Sequence, residues 1–254
     1  MEEDWYVCKN KGFFKQYNFV STWFDTDFCS GLLIRIFLNQ QNSDIPIYKV
    51  DTNKNEIALT FDISYNERNI DEILEVLDKY DVKATFFVVG NWIDENKDVV
   101  KKIYDRGHEI GNHSCTHPYF NEISEEDMKK ELESTSKKIK DITGDTKIFR
   151  PPYGEINEDG VKVCESLGYK VVNWDVDSMD WKNIKDIYII DRVSQNATPG
   201  SIILFQGEGK NVENYLDSII SHFSKSGYKM LKISELLYDD NYYVDSSGVQ
   251  RKKE

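Results

Sequence analysis

The sequence predicts an α/β fold in which about seven strand–helix units curl into a barrel of parallel strands. Three observations predict it. From Glu56 onward, short apolar runs alternate with segments of helical periodicity. No G-x-G-x-x-G or G-x-x-x-x-G-K-S pattern follows any strand, which removes support for a nucleotide-binding open sheet. The chemically unusual side chains, Asp62, His113, His117, Arg150, Asp175, Asp177 and Gln206, fall at or just after strand ends, where barrels collect their chemistry.

The elements follow in order. The apolar run Ile57 to Phe61 is a buried strand, and Ile70, Ile73, Leu74 and Leu77 repeat at helical spacing. Ala84 to Val89 is the next strand, followed by a helix over Lys97 to Asp105 that stops at Gly107. His108 to Asn112 is a short strand. Ser124 caps a long charged helix running to Ile142, with Asp127 in the capping-box position and Gly144 as its stop. Further strands are expected at Lys147 to Arg150, Tyr169 to Trp174, Ser201 to Phe205 and Lys229 to Lys232. Helices are expected at Asn157 to Leu167, Ile187 to Asn196 and Val212 to Lys225, with a short one at the end.

Residues 1–53 differ in texture: they are aromatic-rich, lack sustained periodicity and end in a polar linker, Asn39 to Asp44. The expected organisation is therefore a short N-terminal extension and linker (1–53), a barrel domain (54–238) and a polar C-terminal tail (239–254). The apolar run Cys29 to Leu38 contains Arg35 and is about half the ~20 residues of a membrane-spanning helix. The acidic start Met1-Glu2-Glu3-Asp4 does not read as a standard signal peptide.

With 45 acidic and 32 basic residues, the net charge is −13 and the pI near 4.9, which argues against nucleic acid or an anionic membrane surface as partner. No protein partner is signalled. Cys8, Cys29, Cys115 and Cys164 show no C-x-x-C spacing, so each is expected as a structural thiol.

Three clusters carry chemistry. In His113-Ser114-Cys115-Thr116-His117, two imidazoles three residues apart can face one cation, or can be ordinary surface or core histidines; His108, before the strand, should point away. Asp62 closes an apolar strand, where a carboxylate is costly unless paired, metal-bound or catalytic; the alternative is a cap on the following turn. Arg150-Pro151-Pro152-Tyr153-Gly154 offers a guanidinium on a stiff loop, with Asp177 as the partner the sequence suggests, or else a rigid turn alone.

Together these motifs resemble the polysaccharide deacetylase family, the NodB-homology domain of carbohydrate esterase family 4, over Ile57 to Leu237. Thr60-Phe61-Asp62, His113 to His117, Arg150 to Gly154 and Asp177-Ser178-Met179-Asp180-Trp181 are similar to four of its motifs in order. The resemblance implies a distorted (β/α)7 barrel, in agreement with the count of units. It also implies metal-assisted hydrolysis of N-acetyl groups on a sugar polymer. His113 and His117 would ligate a divalent ion, usually zinc, and Asp62 would be the base. Arg150 would orient Asp62, the Tyr153 backbone N–H would stabilise an oxyanion, and Asp177 would tune a histidine acid. Pro152, Trp181 and Leu204 would bind substrate, the last two walling a pocket for the acetyl methyl.

Two positions depart from that pattern. The family's second Asp, a third metal ligand, is here Ile63, so reduced metal affinity is expected. The fifth motif's general-acid His is here Gln206, which donates a hydrogen bond but no proton, a loss of roughly 10²–10⁴ in rate. The Thr-Phe-Asp-Ile-Ser form resembles a subgroup associated with sporulation and cell-wall modification in Gram-positive bacteria, which points to peptidoglycan. There, Ser64 or a substrate oxygen would complete the metal shell. Beside this reading stand a catalytically weak or inactive glycan-binding module and a metal-independent amidohydrolase of small molecules. The family resemblance implies an extracellular or cell-envelope location.

Overall fold

The computed structural model describes residues 44–64, 69–182 and 184–253. The expectations for residues 1–43, including the apolar run Cys29 to Leu38, Cys8 and Cys29, lie outside them. At the centre is β2 (Glu56–Ile63), buried from Ile57 to Ile63 as its continuous apolar run requires of a strand covered on both faces. It pairs in parallel with β3 (Thr85–Val88) and β8 (Ile202–Phe205), and its first residues pair with β9 (Lys229–Leu231). Beyond β3 lie β4 (Glu109–Asn112), β5 (Ile148–Phe149) and β6 (Lys170–Val171); beyond β8 lies β7 (Val176–Asp177). The result is a curled parallel half-barrel of the (β/α)7 kind, with β6 and β7 as its two ends.

Alternation along β2 divides the chemistry. Leu59, Phe61 and Ile63 belong to the core under the helices, where Phe61 stacks on Phe86 and Phe205 at centroid distances of 4.9 and 5.4 Å. Ala58, Thr60 and Asp62 face the barrel interior. The helical layer is α1 (Ile70–Lys79), α2 (Gly90–Glu95), α3 (Lys97–Asp105), α4 (Glu125–Thr143), α5 (Glu158–Ser166), α6 (Asp186–Asn196), α7 (Val212–Lys225) and α8 (Ile233–Leu236). In α1, Ile70, Ile73, Leu74 and Leu77 form the buried stripe that their spacing dictates. Ser124 caps α4 by accepting the Asp127 N–H, and Gly144 ends it at φ 99°.

Both expected boundaries move outward. Residues 239–254 are not a polar tail: β10 (Tyr242–Val244) and β11 (Val249–Lys252) form a hairpin, and β11 pairs in parallel with β1 (Lys49–Val50). Asp245 holds the turn, its carboxylate accepting from Ser247 N, Val249 N and Arg251 Nε. Residues 47–50, assigned to the N-terminal extension and linker, run from the β6 end of the sheet to the turn that leads into β8. Ile47 N donates to Val171 O at 2.8 Å, Asn173 N to Ile47 O at 2.8 Å, and Val50 N to Gly200 O at 3.0 Å. Ile47 and Val50 are buried in doing so.

Candidate functional site

A cleft of about 460 Å³ opens at the C-terminal ends of the strands. Asp62, His113, His117 and Tyr153 line it, together with Asp177, Trp181, Leu204 and Gln206. Ser64, Trp174 and Glu208 also line it; of these, sequence reasoning had given a role only to Ser64. Pro152 is buried in the turn over residues 152–154 and is not among the lining residues.

The floor is a buried ion pair. Arg150 follows β5, and its Nη1 donates to Asp62 Oδ1 at 2.7 Å and to Thr60 Oγ1 at 2.8 Å, two acceptors on the same face of β2. Nε and Nη2 donate to the Val172 and Asn173 carbonyls, and the guanidinium lies 4.1 Å from the Phe87 ring centroid. Burial lowers the Arg150 pKa and the Asp62 charge opposes that shift. This corrects the sequence-based pairing of Arg150 with Asp177. The guanidinium is wholly buried among those acceptors, while Asp177 Oδ1 accepts the Met179 N–H at 2.8 Å and so shapes its own turn.

The two imidazoles stand over this floor. The His113 Nδ1–H donates to the Arg150 carbonyl at 2.8 Å, since a carbonyl can only accept. That leaves the lone pair on Nε2, which lies 3.7 Å from Asp62 Oδ2. The His117 ring meets it edge-on at 5.0 Å. Burial lowers the pKa of His113, and lowers that of His117 to about 4, so both are neutral at pH 7, the state that ligates a metal. The loop between them carries positive φ at Ser114 (65°) and His117 (60°). Asn112 Oδ1 holds it by accepting from Ser114 N, and Glu131 of α4 by accepting from Cys115 N, Thr116 N and Thr116 Oγ1. Nothing in the sequence singled out Glu131, one acid among many on a charged helix.

The donor set fits a divalent cation in part. Two neutral imidazoles, one oriented by a carbonyl on its far nitrogen, are suited to zinc. Among the described residues, however, no group of three or more His, Cys, Asp or Glu is arranged to hold a metal ion. Ile63 explains the shortfall: it turns from the cleft to a side pocket of about 110 Å³ shared with Asn69, Ile70, Ile73 and Gln206. The two departures from the family pattern are therefore neighbours in space.

The carboxylate that organises the Gln206 wall is Asp180. It is buried and accepts from Ser178 Oγ, Gln206 N, Gly207 N and Tyr215 OH at 2.9–3.0 Å. Burial raises its pKa and these four bonds oppose the rise. The family resemblance assigns the tuning role to Asp177 and includes Asp180 only as part of the motif over 177–181; the structure puts Asp180, not Asp177, behind Gln206. Across the cleft, the chain reverses at Tyr153 (φ 61°) and Gly154 (φ 71°), where a Cβ on Gly154 would stand 2.7 Å from Trp174.

Similarity to known proteins extends over most of the described residues. A polysaccharide deacetylase family model matches residues 49–172. The peptidoglycan-N-acetylmuramic acid deacetylase PdaA of Bacillus subtilis is 34% identical over 204 residues, covering 78% of each chain. Among solved structures, a carbohydrate esterase family 4 pseudoenzyme from Bacillus anthracis matches with TM-score 0.73 and 34% identity, over 76% of this chain and 69% of its own. A mutant of that pseudoenzyme with restored enzymatic activity matches with TM-score 0.73 and 35% identity, over 76% and 71%.

Proposed function

The chain belongs to the polysaccharide deacetylase family, and from that membership we propose that it hydrolyses N-acetyl groups on peptidoglycan or a related N-acetylated glycan of the cell envelope. The observation that carries the reading is the buried Asp62–Arg150 pair facing His113 and His117 across one cleft. His113 and His117 would hold a divalent metal, zinc by the chemistry of the donors, and when bound it supplies Lewis-acid polarisation of the acetamide carbonyl.

The protein's own groups do the rest. Asp62 accepts the proton of the attacking water, and Arg150 holds its carboxylate aimed. The backbone N–H of Tyr153 donates to the developing oxyanion, and Leu204 and Trp181 enclose the acetyl methyl. Gln206 donates a hydrogen bond to the leaving amine without delivering a proton, so Asp62 must return the proton it took. Turnover is correspondingly slow.

Ile63 and Gln206 favour a second reading, a glycan-binding module of the same family with little or no catalysis. Acetate release from peptidoglycan and from N-acetylglucosamine oligomers, with added zinc and an Asp62→Asn control, separates the two. Zinc-dependent acetate lost in the control supports the hydrolase; binding to glycan without acetate supports the module.

A further inference from the structure

We propose that Tyr119 extends the cleft by one subsite, stacking on the sugar next to the one whose acetyl group enters the pocket. The inference rests on the glycan reading above. Tyr119 is two residues beyond His117, and its neighbour Phe120 is fully buried, 5.0 Å from the Phe149 ring, which pins the backbone there. Tyr119 is thereby turned outward and is 44% exposed. Its ring lies parallel to that of Tyr153, centroids 4.1 Å apart at 14°, and Tyr153, itself 49% exposed, meets His117 edge-on at 4.7 Å.

Tyr153 lines the cleft and Tyr119 does not, so the pair steps outward from the imidazoles by one ring. Because the two rings are stacked face to face, Tyr153 backs one face of Tyr119 and holds the ring in place, and the opposite face, apolar with a polar tip, suits the C–H face of a pyranose flanked by hydroxyls. On the other side, after β7, Trp181 is 48% exposed at the rim. A single sugar seated at the imidazoles would touch Tyr153 alone; a glycan chain reaches Tyr119.

The test is isothermal titration of the protein with N-acetylglucosamine monomer and tetramer, with EDTA present so that turnover does not compete. Tyr119→Ala should weaken tetramer binding by roughly 3- to 10-fold and leave the monomer unchanged, the range expected for one aromatic stacking contact. Tyr119→Trp, which keeps a stacking face, should stay within about twofold of wild type for both ligands. Equal losses for monomer and tetramer in Tyr119→Ala would mean that Tyr119 only props Tyr153, and unchanged tetramer binding would mean that it touches no sugar. Either result overturns the subsite while leaving the glycan reading intact. A wild-type protein that binds neither ligand removes both.

Discussion

Replacing Ile63 with Asp should make the stability of this protein depend on zinc. Ile63 is 3% exposed and packs with Ile70 and Ile73, so losing its side chain costs about 2–5 kcal/mol, the usual range for deleting a buried Ile. The carboxylate adds a desolvation cost, or is protonated, unless a cation meets it. Taking about 3 kcal/mol as the net loss, the melting temperature in EDTA should fall by roughly 6–12 °C at this chain length. Gln206 lines both the side pocket and the cleft, so a carboxylate at position 63 has a path to the ion held by His113 and His117. Zinc at 100 times its dissociation constant would then return about 2.7 kcal/mol, most of the loss. Thermal melts of wild type and Ile63→Asp, each in EDTA and in zinc, are the assay. Zinc should raise the variant far more than the wild type, and adding His117→Ala should erase the rise. Identical melts of Ile63→Asp with and without zinc would refute the reasoning, because the carboxylate would then lie out of reach of the imidazoles.

Arg150→Met should destabilise the fold by about 3–5 kcal/mol in urea titrations, since it strands the buried Asp62 carboxylate; adding Asp62→Asn should recover part of the loss, and no recovery would show that charge is not the cause. His108 is 2% exposed, its Nδ1 accepts from Ala84 N, and burial lowers its pKa from 6.5 to about 4. The folded state therefore favours the neutral ring, so this contribution is complete above pH 6.5 and is lost as pH falls towards 4, up to about 3 kcal/mol. His108→Gln should flatten that part of the acid limb, leaving the share of His117, which titrates in the same direction; an unchanged limb would count against burial of a neutral His108. Gln206→His should raise turnover in acetate release by roughly 10²-fold or more, with a new basic limb in the pH profile; a rate unchanged at every pH would mean that protonation of the amine does not limit the reaction.

The fold was legible where burial makes long patterns. The run Ile57 to Phe61, the stripe Ile70, Ile73, Leu74 and Leu77, and the cap at Ser124 each state their element in one stretch of chain, and the structure places all three there. Short elements inside the alternation, such as Ile148–Phe149 and Lys229–Leu231, were legible too, but those outside it were not. The strand over 242–244 reads Tyr-Tyr-Val between polar residues, and its partner over 249–252 is Val-Gln-Arg-Lys; neither is long enough to establish a period of two. The two-residue strand at Lys49–Val50 is defined by its pairing with the strand over 249–252, while Ile47 just before it satisfies the Val171 carbonyl and the Asn173 N–H. Pairing with such distant parts of the chain has no local signature.

In the site, sequence identified residue types and the structure assigned their partners. Thr60 and Asp62 lie two apart on one strand, which already puts them on one face, yet that Arg150 joins them and Asp177 does not depends on burial of the guanidinium against Phe87. The same holds for Asp177 and Asp180, separated by the four donors that converge on the second. Ile63 and Gln206 are the deepest case. They read as two independent losses far apart in the chain, but they share the side pocket under Asn69, Ile70 and Ile73. Substitutions in contact are not additive, so changing either one alters the space the other occupies. The groups proposed above to take the proton from water and to face the oxyanion, Asp62 on Arg150 and Tyr153 beside His113 and His117, lie away from that side pocket. The two positions that depart from the family pattern share one pocket, so under the proposed reading the third metal ligand and the proton for the amine have to be tested as a pair.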